Sequence, residues 1–212
     1  MIKAIIFDFD MTLVDSLELG NKAIKDMEIE HGISAKGISA KEIWGNLPHV
    51  FAKKLAEVNK HKLPWEEIRE INMAALQKHY TNCRLNAIEF LKELIGKKIK
   101  LGIISNNSID VINTVLENKQ NQGVKFDIVF GYQNIAEGKS KSDLLDDCLK
   151  LFGVKNNELM YVGDHVNDII AAKKASVVSA AVASGLHTLE ELKKENPDIL
   201  VNKLGELGKH IF

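Results

Sequence analysis

Short, unbroken apolar runs recur along the chain at Ala4–Phe7, Ile99–Ile104, Ile128–Phe130, Leu159–Val162, Val177–Val182 and Ile199–Val201. Runs this short and this continuous suit strands buried on both faces, as in parallel sheets. Between them the apolar period lengthens. Ala87, Ile88, Leu91, Leu94 and Ile95 fall on one helical face, as do Ile109, Ile112, Val115 and Leu116. Leu144, Leu145, Cys148 and Phe152 repeat the spacing, followed by Ile169, Ala172 and Ala175. Thr188 with Glu191 reads as a capping box that opens a last helix. Strands alternating with helices predict an α/β fold with a doubly wound, mostly parallel sheet.

One interval breaks the rhythm. A parallel crossover needs roughly a dozen residues and usually one helix, yet Ser16 to Leu85 is several times longer and holds no convincing strand. Its patterns are helical: Leu17–His31, Val50–Asn59, and a stretch opened by Pro64 that runs to Tyr80. Proline is favourable at a first helical turn, and Trp65, Ile68, Met73 and Leu76 supply an apolar face. The pattern predicts a core of residues 1–15 and 86–212 with an inserted α-helical cap over residues 16–85.

Composition changes this picture little. With 212 residues and 45% hydrophobic content, either one ordinary domain or a core domain with a smaller appendage is expected. Lys and Arg total 28 against 29 Asp and Glu, a formal charge of −1, which leaves no electrostatic footprint for nucleic acid or an anionic membrane. The apolar stretch Val177–Ala183 is far short of a membrane span, and the first residues do not resemble a signal peptide. Cys83 and Cys148 match no metal-ligand spacing. The expectation is a cytoplasmic monomer or homodimer. Arg69 and Arg84 are the only arginines, so a phosphate site would rest on lysine, backbone amides and metal.

Candidate chemistry sits just after four of the predicted strands, where open α/β sheets bind ligands. Asp8-Phe9-Asp10-Met11-Thr12 follows the first. Two carboxylates at this spacing can divide phosphoryl transfer, one attacking phosphorus while the other handles the proton, although acids at a strand end also simply cap a turn. Ser105-Asn106-Asn107 follows the second; a hydroxyl and an amide beside a helix N-terminus can grip phosphate, or merely cap the helix. Gly138-Lys139-Ser140-Lys141 offers a lysine to neutralise phosphate. It is not a P-loop, because Gln133 stands where that pattern needs glycine. Gly163-Asp164-His165-Val166-Asn167-Asp168 supplies hard oxygen ligands of the kind Mg²⁺ takes, with glycine allowing a sharp turn. A lone histidine among carboxylates does not indicate zinc, and His165 reads as solvated or helix-capping.

In this order the motifs resemble those of the haloacid dehalogenase superfamily, in its phosphatase branch. Asp8 to Ser16 is similar to the first motif, Ser105-Asn106 to the second, Lys139 to the third, and Gly163-Asp164 with Asp168 to the fourth. A helical cap between the first and second motifs resembles the phosphoglycolate phosphatase and β-phosphoglucomutase group. The resemblance implies a Mg²⁺-dependent phosphatase that hydrolyses a small phosphorylated metabolite through an aspartyl phosphate on Asp8. Asp10 would be general acid, then base, and lend its backbone carbonyl to the metal. Thr12 would support the loop and, with Ser105 and Asn106, hold phosphate, and Lys139 would orient Asp8 and phosphate. Asp164 would join Asp8 and Asp10 around Mg²⁺, with Asp168 binding the ion's waters or holding Lys139. Family members often carry proline after the lysine and again two residues on, where this chain has Ser140 and Ser142; Lys141 therefore remains a rival to Lys139. A sugar phosphomutase, or a non-catalytic phosphate-binding protein on the same fold, is the alternative.

These motifs describe only the transferred phosphoryl group, so choice of ester must come from the cap. Trp44-Gly45-Asn46-Leu47-Pro48-His49 stands out there. It reads either as a helix–helix turn with Trp44 in the cap core, or as a segment whose Asn46 and His49 face the leaving group.

Overall fold

The computed structural model describes residues 1–44, 46–60 and 63–212, with Lys41 described in its backbone only. Among the described residues, six parallel strands form one sheet in the order β3-β2-β1-β4-β5-β6. They are β1 (Ala4–Phe7), β2 (Lys100–Ile104), β3 (Ile128–Phe130), β4 (Leu159–Gly163), β5 (Val178–Val182) and β6 (Ile199–Val201). Each lies within a residue or two of an expected apolar run. The chain winds outward from β1 in both directions, so the order reverses between β1 and β4. The register pairs Phe7 with Ile103 on one side and with Val162 on the other. Residues just past β1, β2 and β4 therefore emerge side by side, at the crevice where such sheets place their ligands.

Residues of β1 are buried on both faces, which explains the absence of apolar–polar alternation. Ile5 and Phe7 pack with Leu91, Leu94, Val111 and Val115 on one side. Ala4 and Ile6 pack with Leu144, Leu145, Cys148 and Ala172 on the other.

Among the described residues of the interval 16–85, four helices form: α1 (Leu17–His31), α2 (Ala40–Trp44), α3 (Pro48–Asn59) and α4 (Trp65–Tyr80). Pro48 opens α3 at its first turn, a place where its missing N–H costs nothing. Met27, Ile33, Phe51, Leu55 and Ile68 form a separate apolar cluster inside this insertion. Its lower end is different: Ala23, Leu76 and Tyr80 belong to the same cluster as the sheet residues, so the insertion is rooted in the core.

The remaining helices are α5 (Ile88–Gly96), α6 (Ile109–Leu116), α7 (Tyr132–Ala136), α8 (Lys141–Phe152), α9 (Val166–Lys174), α10 (Leu189–Lys194) and α11 (Gly208–Ile211). The Thr188 side chain accepts from the Glu191 N–H at 3.2 Å while the Glu191 carboxylate accepts from the Thr188 N–H at 2.9 Å, the expected capping box. Both cysteines are free. No helix among the described residues is long and apolar enough to cross a membrane.

Candidate active site

The mouth formed past β1, β2 and β4 gathers three buried carboxylates. Asp8 follows β1 directly, and its N–H bonds the Val162 carbonyl at 2.7 Å, which locks it beside β4. Asp164 follows β4, and Asp168 sits in the first turn of α9. Each of the three can offer an oxygen such that all three oxygens lie within 4.8 Å of one another. One ammonium answers them: Lys141 Nζ donates to Asp8 Oδ1 at 2.7 Å and to Asp168 Oδ1 at 2.8 Å.

Here the structure corrects the expected lysine. Lys139 is exposed and donates to Asp147 at 2.6 Å, away from the mouth. The reason is where α8 begins. Ser140 is its N-cap, with the Ser140 hydroxyl and the Asp143 carboxylate bonded reciprocally to backbone N–H groups. Lys141 is the first helical residue, and side chains of a first turn lean toward the helix N-terminus, here toward the strand ends. Lys139 precedes the cap and lies outside that geometry. The Ser140–Asp143 pair is a capping signature that was available in the sequence.

The other motif residues separate by role. Thr12 Oγ1 donates to Asp164 Oδ1 at 3.1 Å, which holds a carboxylate rather than a loop backbone. Ser105 is buried with its Oγ accepting the Asn107 N–H at 3.0 Å, while Asn106 is half-buried and lines the mouth cavity. Asn107 turns the other way and donates from Nδ2 to Asp10 Oδ2 at 3.0 Å. Asp10 Oδ1 accepts from the Tyr80 hydroxyl at 2.5 Å. Both Asp10 oxygens are thus occupied, one by a group on the last turn of α4. Sequence reading missed Tyr80 and also Tyr161, a buried β4 residue whose hydroxyl donates to Asp168 Oδ1 at 3.0 Å. A buried phenol needs a partner, which is the signal either could have given.

The glycine expected to allow a sharp turn does something else. Gly163 ends β4 in extended backbone, and an added Cβ would lie 2.2 Å from Asp168 Oδ2. Its lack of a side chain admits the carboxylate that holds Lys141. Gly185, not anticipated, leaves room in the same way for Asp164, whose Oδ2 would be 1.7 Å from a Cβ there. Met11 carries the strain of the first loop at φ 57°. Its N–H donates to Ser16 Oγ at 3.1 Å and its carbonyl accepts from Ser184 Oγ at 2.5 Å, which supports a conformation unfavourable for a residue with a Cβ.

Charge in the mouth is unbalanced. Burial pushes the Asp8 carboxyl up to about 7, with Lys141 opposing and the Asp168 charge adding to the rise. Burial, then repulsion from Asp8 and Asp168, holds Asp164 well above the ordinary carboxylate range. Burial also raises Asp10, although the Tyr80 and Asn107 donors pull it back. Burial alone would lower Lys141, but Asp168 and Asp8 outweigh it and hold the ammonium charged. Three desolvated carboxylates around one ammonium leave excess negative charge, and a hard divalent cation fits that deficit. Asp8 and Asp164 are the carboxylates best able to take one. Asp168 already accepts from Lys141 and Tyr161 through Oδ1 and from the His165 N–H through Oδ2 at 3.2 Å.

The mouth opens into a cavity of about 440 Å³. Asn46 lines it, with its amide donating to the Glu42 carbonyl at 2.6 Å. His49 does not. It is half-buried beside Trp65, with Nδ1 3.3 Å from the Tyr132 hydroxyl, and so joins the insertion to the core away from the mouth. With Pro48 as the first residue of α3, the turn of the helix carries His49 sideways and leaves Leu47 and Val50 on the cavity. Trp44 lies outside the apolar cluster of the insertion and lines the cavity, its indole N–H buried without an acceptor among the described residues. Gly45 lies outside the described residues.

Residues 5–182 match the family model of the haloacid dehalogenase-like hydrolases. A curated relative, "Phosphoglycolate phosphatase 1" of Pseudomonas aeruginosa, is 26% identical over 97% of this chain and 78% of its own length. "Pyrophosphatase PpaX" of Listeria monocytogenes is 24% identical over 97% of this chain and 94% of its own. The crystal structure of a predicted phosphoglycolate phosphatase from Haemophilus somnus superposes with a TM-score of 0.84 at 20% identity, covering 100% of this chain and 98% of that one. That likeness is one of fold.

Proposed function

The chain belongs to the haloacid dehalogenase-like hydrolases, and from that premise we propose that it is a Mg²⁺-dependent phosphatase acting on a small phosphorylated metabolite through an aspartyl phosphate on Asp8. The observation that carries this reading is the Asp8 carboxylate at the end of β1, held by Lys141 and facing Asp164 within one buried acidic mouth.

Asp8 would attack phosphorus through Oδ2 while Lys141 holds Oδ1, so that an Asp8–phosphorus bond forms as the bond to the leaving oxygen breaks. Asp10, raised by burial and therefore biased toward carrying a proton at Oδ1 or Oδ2, would give that proton to the leaving oxygen. As a carboxylate it would then take a proton from water, whose oxygen attacks phosphorus and frees Asp8. Ser105 and Asn106 would hold the phosphoryl oxygens during both steps. Asp8, Asp164 and the backbone carbonyl of Asp10 would hold Mg²⁺, with Asp168 positioning Lys141 and the outer shell. Bound there, the ion supplies charge neutralisation for the transferred group.

The direct test is release of inorganic phosphate from a panel of phosphate monoesters by purified protein with Mg²⁺. Turnover that chelator stops and Mg²⁺ restores is expected; inertness across the whole panel would sink the proposal.

Two further outcomes follow from the same site. Asp164→Asn keeps the acceptor for Thr12 but removes one of three repelling carboxylates. Metal-free Asp164→Asn should therefore melt above the wild type, by about 2–4 °C for each kcal/mol of relieved repulsion. Mg²⁺ should raise the wild-type melting temperature, since it binds the folded state alone, and leave the variant unmoved. Equal Mg²⁺ shifts in both proteins would remove Asp164 from the metal site. For Asp10→Asn, single-turnover loss of the first step should be smaller with p-nitrophenyl phosphate, whose leaving group needs little protonation, than with an alkyl phosphate. Equal losses would mean that Asp10 is not the leaving-group acid.

A further inference from the structure

A second cavity of about 70 Å³ lies under the insertion, against the loops that carry Asp10 and Asn106. Its walls come from α1, α2, α3 and α4: Ile24, Ile43, Phe51, Met73 and Leu76 are apolar. Asp10, Trp44, Asn46 and Asn106 line both this cavity and the mouth, so Asp10 stands at the neck between them.

One polar side chain of the insertion reaches this apolar chamber from α4. Asn72 is only 5% exposed. Its Nδ2 donates to Met27 Sδ at 3.3 Å, a weak acceptor, and its Oδ1 has no donor among the described residues. Buried amides are ordinarily satisfied at both ends, whereas among the described residues Asn72 is met through Nδ2 alone, by the Met27 sulfur. Asn72 shares this otherwise apolar lining with Asp10, Asn46, Asn106 and Asn107, and a few placed polar groups in an apolar pocket are the usual device by which a small-ligand site fixes orientation.

We propose that this chamber receives the leaving group, and that Asn72 selects a small, neutral alcohol bearing one hydroxyl or carbonyl beside an apolar body. This rests on the phosphatase reading above: the phosphoryl group would occupy the mouth at Asp8, with the leaving oxygen at the neck beside Asp10. Size follows from volume. A water-sized group needs roughly 10–15 Å³ on this measure, so the chamber takes about five non-hydrogen atoms. Charge follows from the lining. Among the described residues around the chamber there is no lysine or arginine, and Asp10 faces it, so a leaving group carrying a carboxylate or phosphate would be desolvated without a cationic partner and repelled by Asp10. The expected preference therefore departs from the substrates in the relatives' names, phosphoglycolate and pyrophosphate.

The test compares kcat/KM for 1,2-propanediol 1-phosphate, propyl phosphate, phosphoglycolate and pyrophosphate in wild type and Asn72→Leu, with Mg²⁺ present. Wild type should favour the hydroxylated ester over propyl phosphate at least about tenfold, because the site's amide goes unpaired with the deoxy compound. It should favour both over the two anionic compounds. Asn72→Leu should erase the advantage of the hydroxyl, so that the ratio of kcat/KM between the two alkyl esters falls from about tenfold toward one. Preference for phosphoglycolate or pyrophosphate in wild type would overturn the proposal, whatever the variant does. So would an equal loss on both alkyl esters in a folded variant. Absence of phosphate release from all four compounds and from p-nitrophenyl phosphate would instead overturn the phosphatase reading beneath it.

Discussion

Asp8→Asn is expected to lose turnover by about four orders of magnitude or more, the scale seen when a covalent nucleophile is removed. The amide matches the carboxylate in shape, and Lys141 can still donate to the amide oxygen as it does to Asp8 Oδ1 at 2.7 Å. What disappears is the charge that attacks phosphorus. The same charge is costly in the folded protein, since burial raises the Asp8 carboxyl to about 7, so the variant should fold as well as the wild type or better. Phosphate release and thermal melting on one preparation check both halves. A folded variant that keeps even a tenth of normal kcat would show that Asp8 is not the nucleophile.

The second large effect separates two lysines that stand two residues apart. Lys141→Ala should lower kcat/KM by about 10³-fold, as expected when a preorganised charge is taken from a transition state. It should also destabilise the fold, because Asp8 and Asp168 are left facing each other without their shared cation. Lys139→Ala breaks only an exposed pair with Asp147, and should stay within about twofold of wild type in activity, with little change in melting temperature. Lys141→Met, which keeps the bulk of the buried stem, guards against simple loss of folding: its melting temperature should recover part of the deficit while its rate does not. Activity lost in Lys139→Ala and kept in Lys141→Met would reverse the assignment.

Much of the scaffold was readable because its causes are local. The run Ala4–Phe7 is apolar at every position because both faces of β1 are covered, and such a run can be recognised without knowing what covers it. Pro64 before α4 and Thr188 before α10 mark helix starts through their own backbone chemistry. The short helices α2 and α7, five residues each, carry too little periodicity to announce themselves. Of the two readings left open for His49, the one that faces it to the leaving group is not what the fold shows, because its direction depends on the residue at which α3 begins.

Legible along the chain were the order of strands and helices, the long helical interval, and the positions of Asp8, Asp10, Ser105, Asn106, Asp164 and Asp168 just past strand ends. Periodic burial and capping act over a few residues, and a one-dimensional pattern records them. Which groups meet was settled by the packed fold. Lys141 reaches Asp8 across 133 positions of chain, Tyr80 reaches Asp10 across 70, and Asn72 meets Met27 across 45. Such contacts follow from the register of β1 against β4 and from how the insertion is rooted in the core. The partners of Tyr80 and Asn72 leave no local trace and became legible only in three dimensions, whereas the choice of lysine had one local clue, the Ser140–Asp143 cap that makes Lys141 the first helical residue.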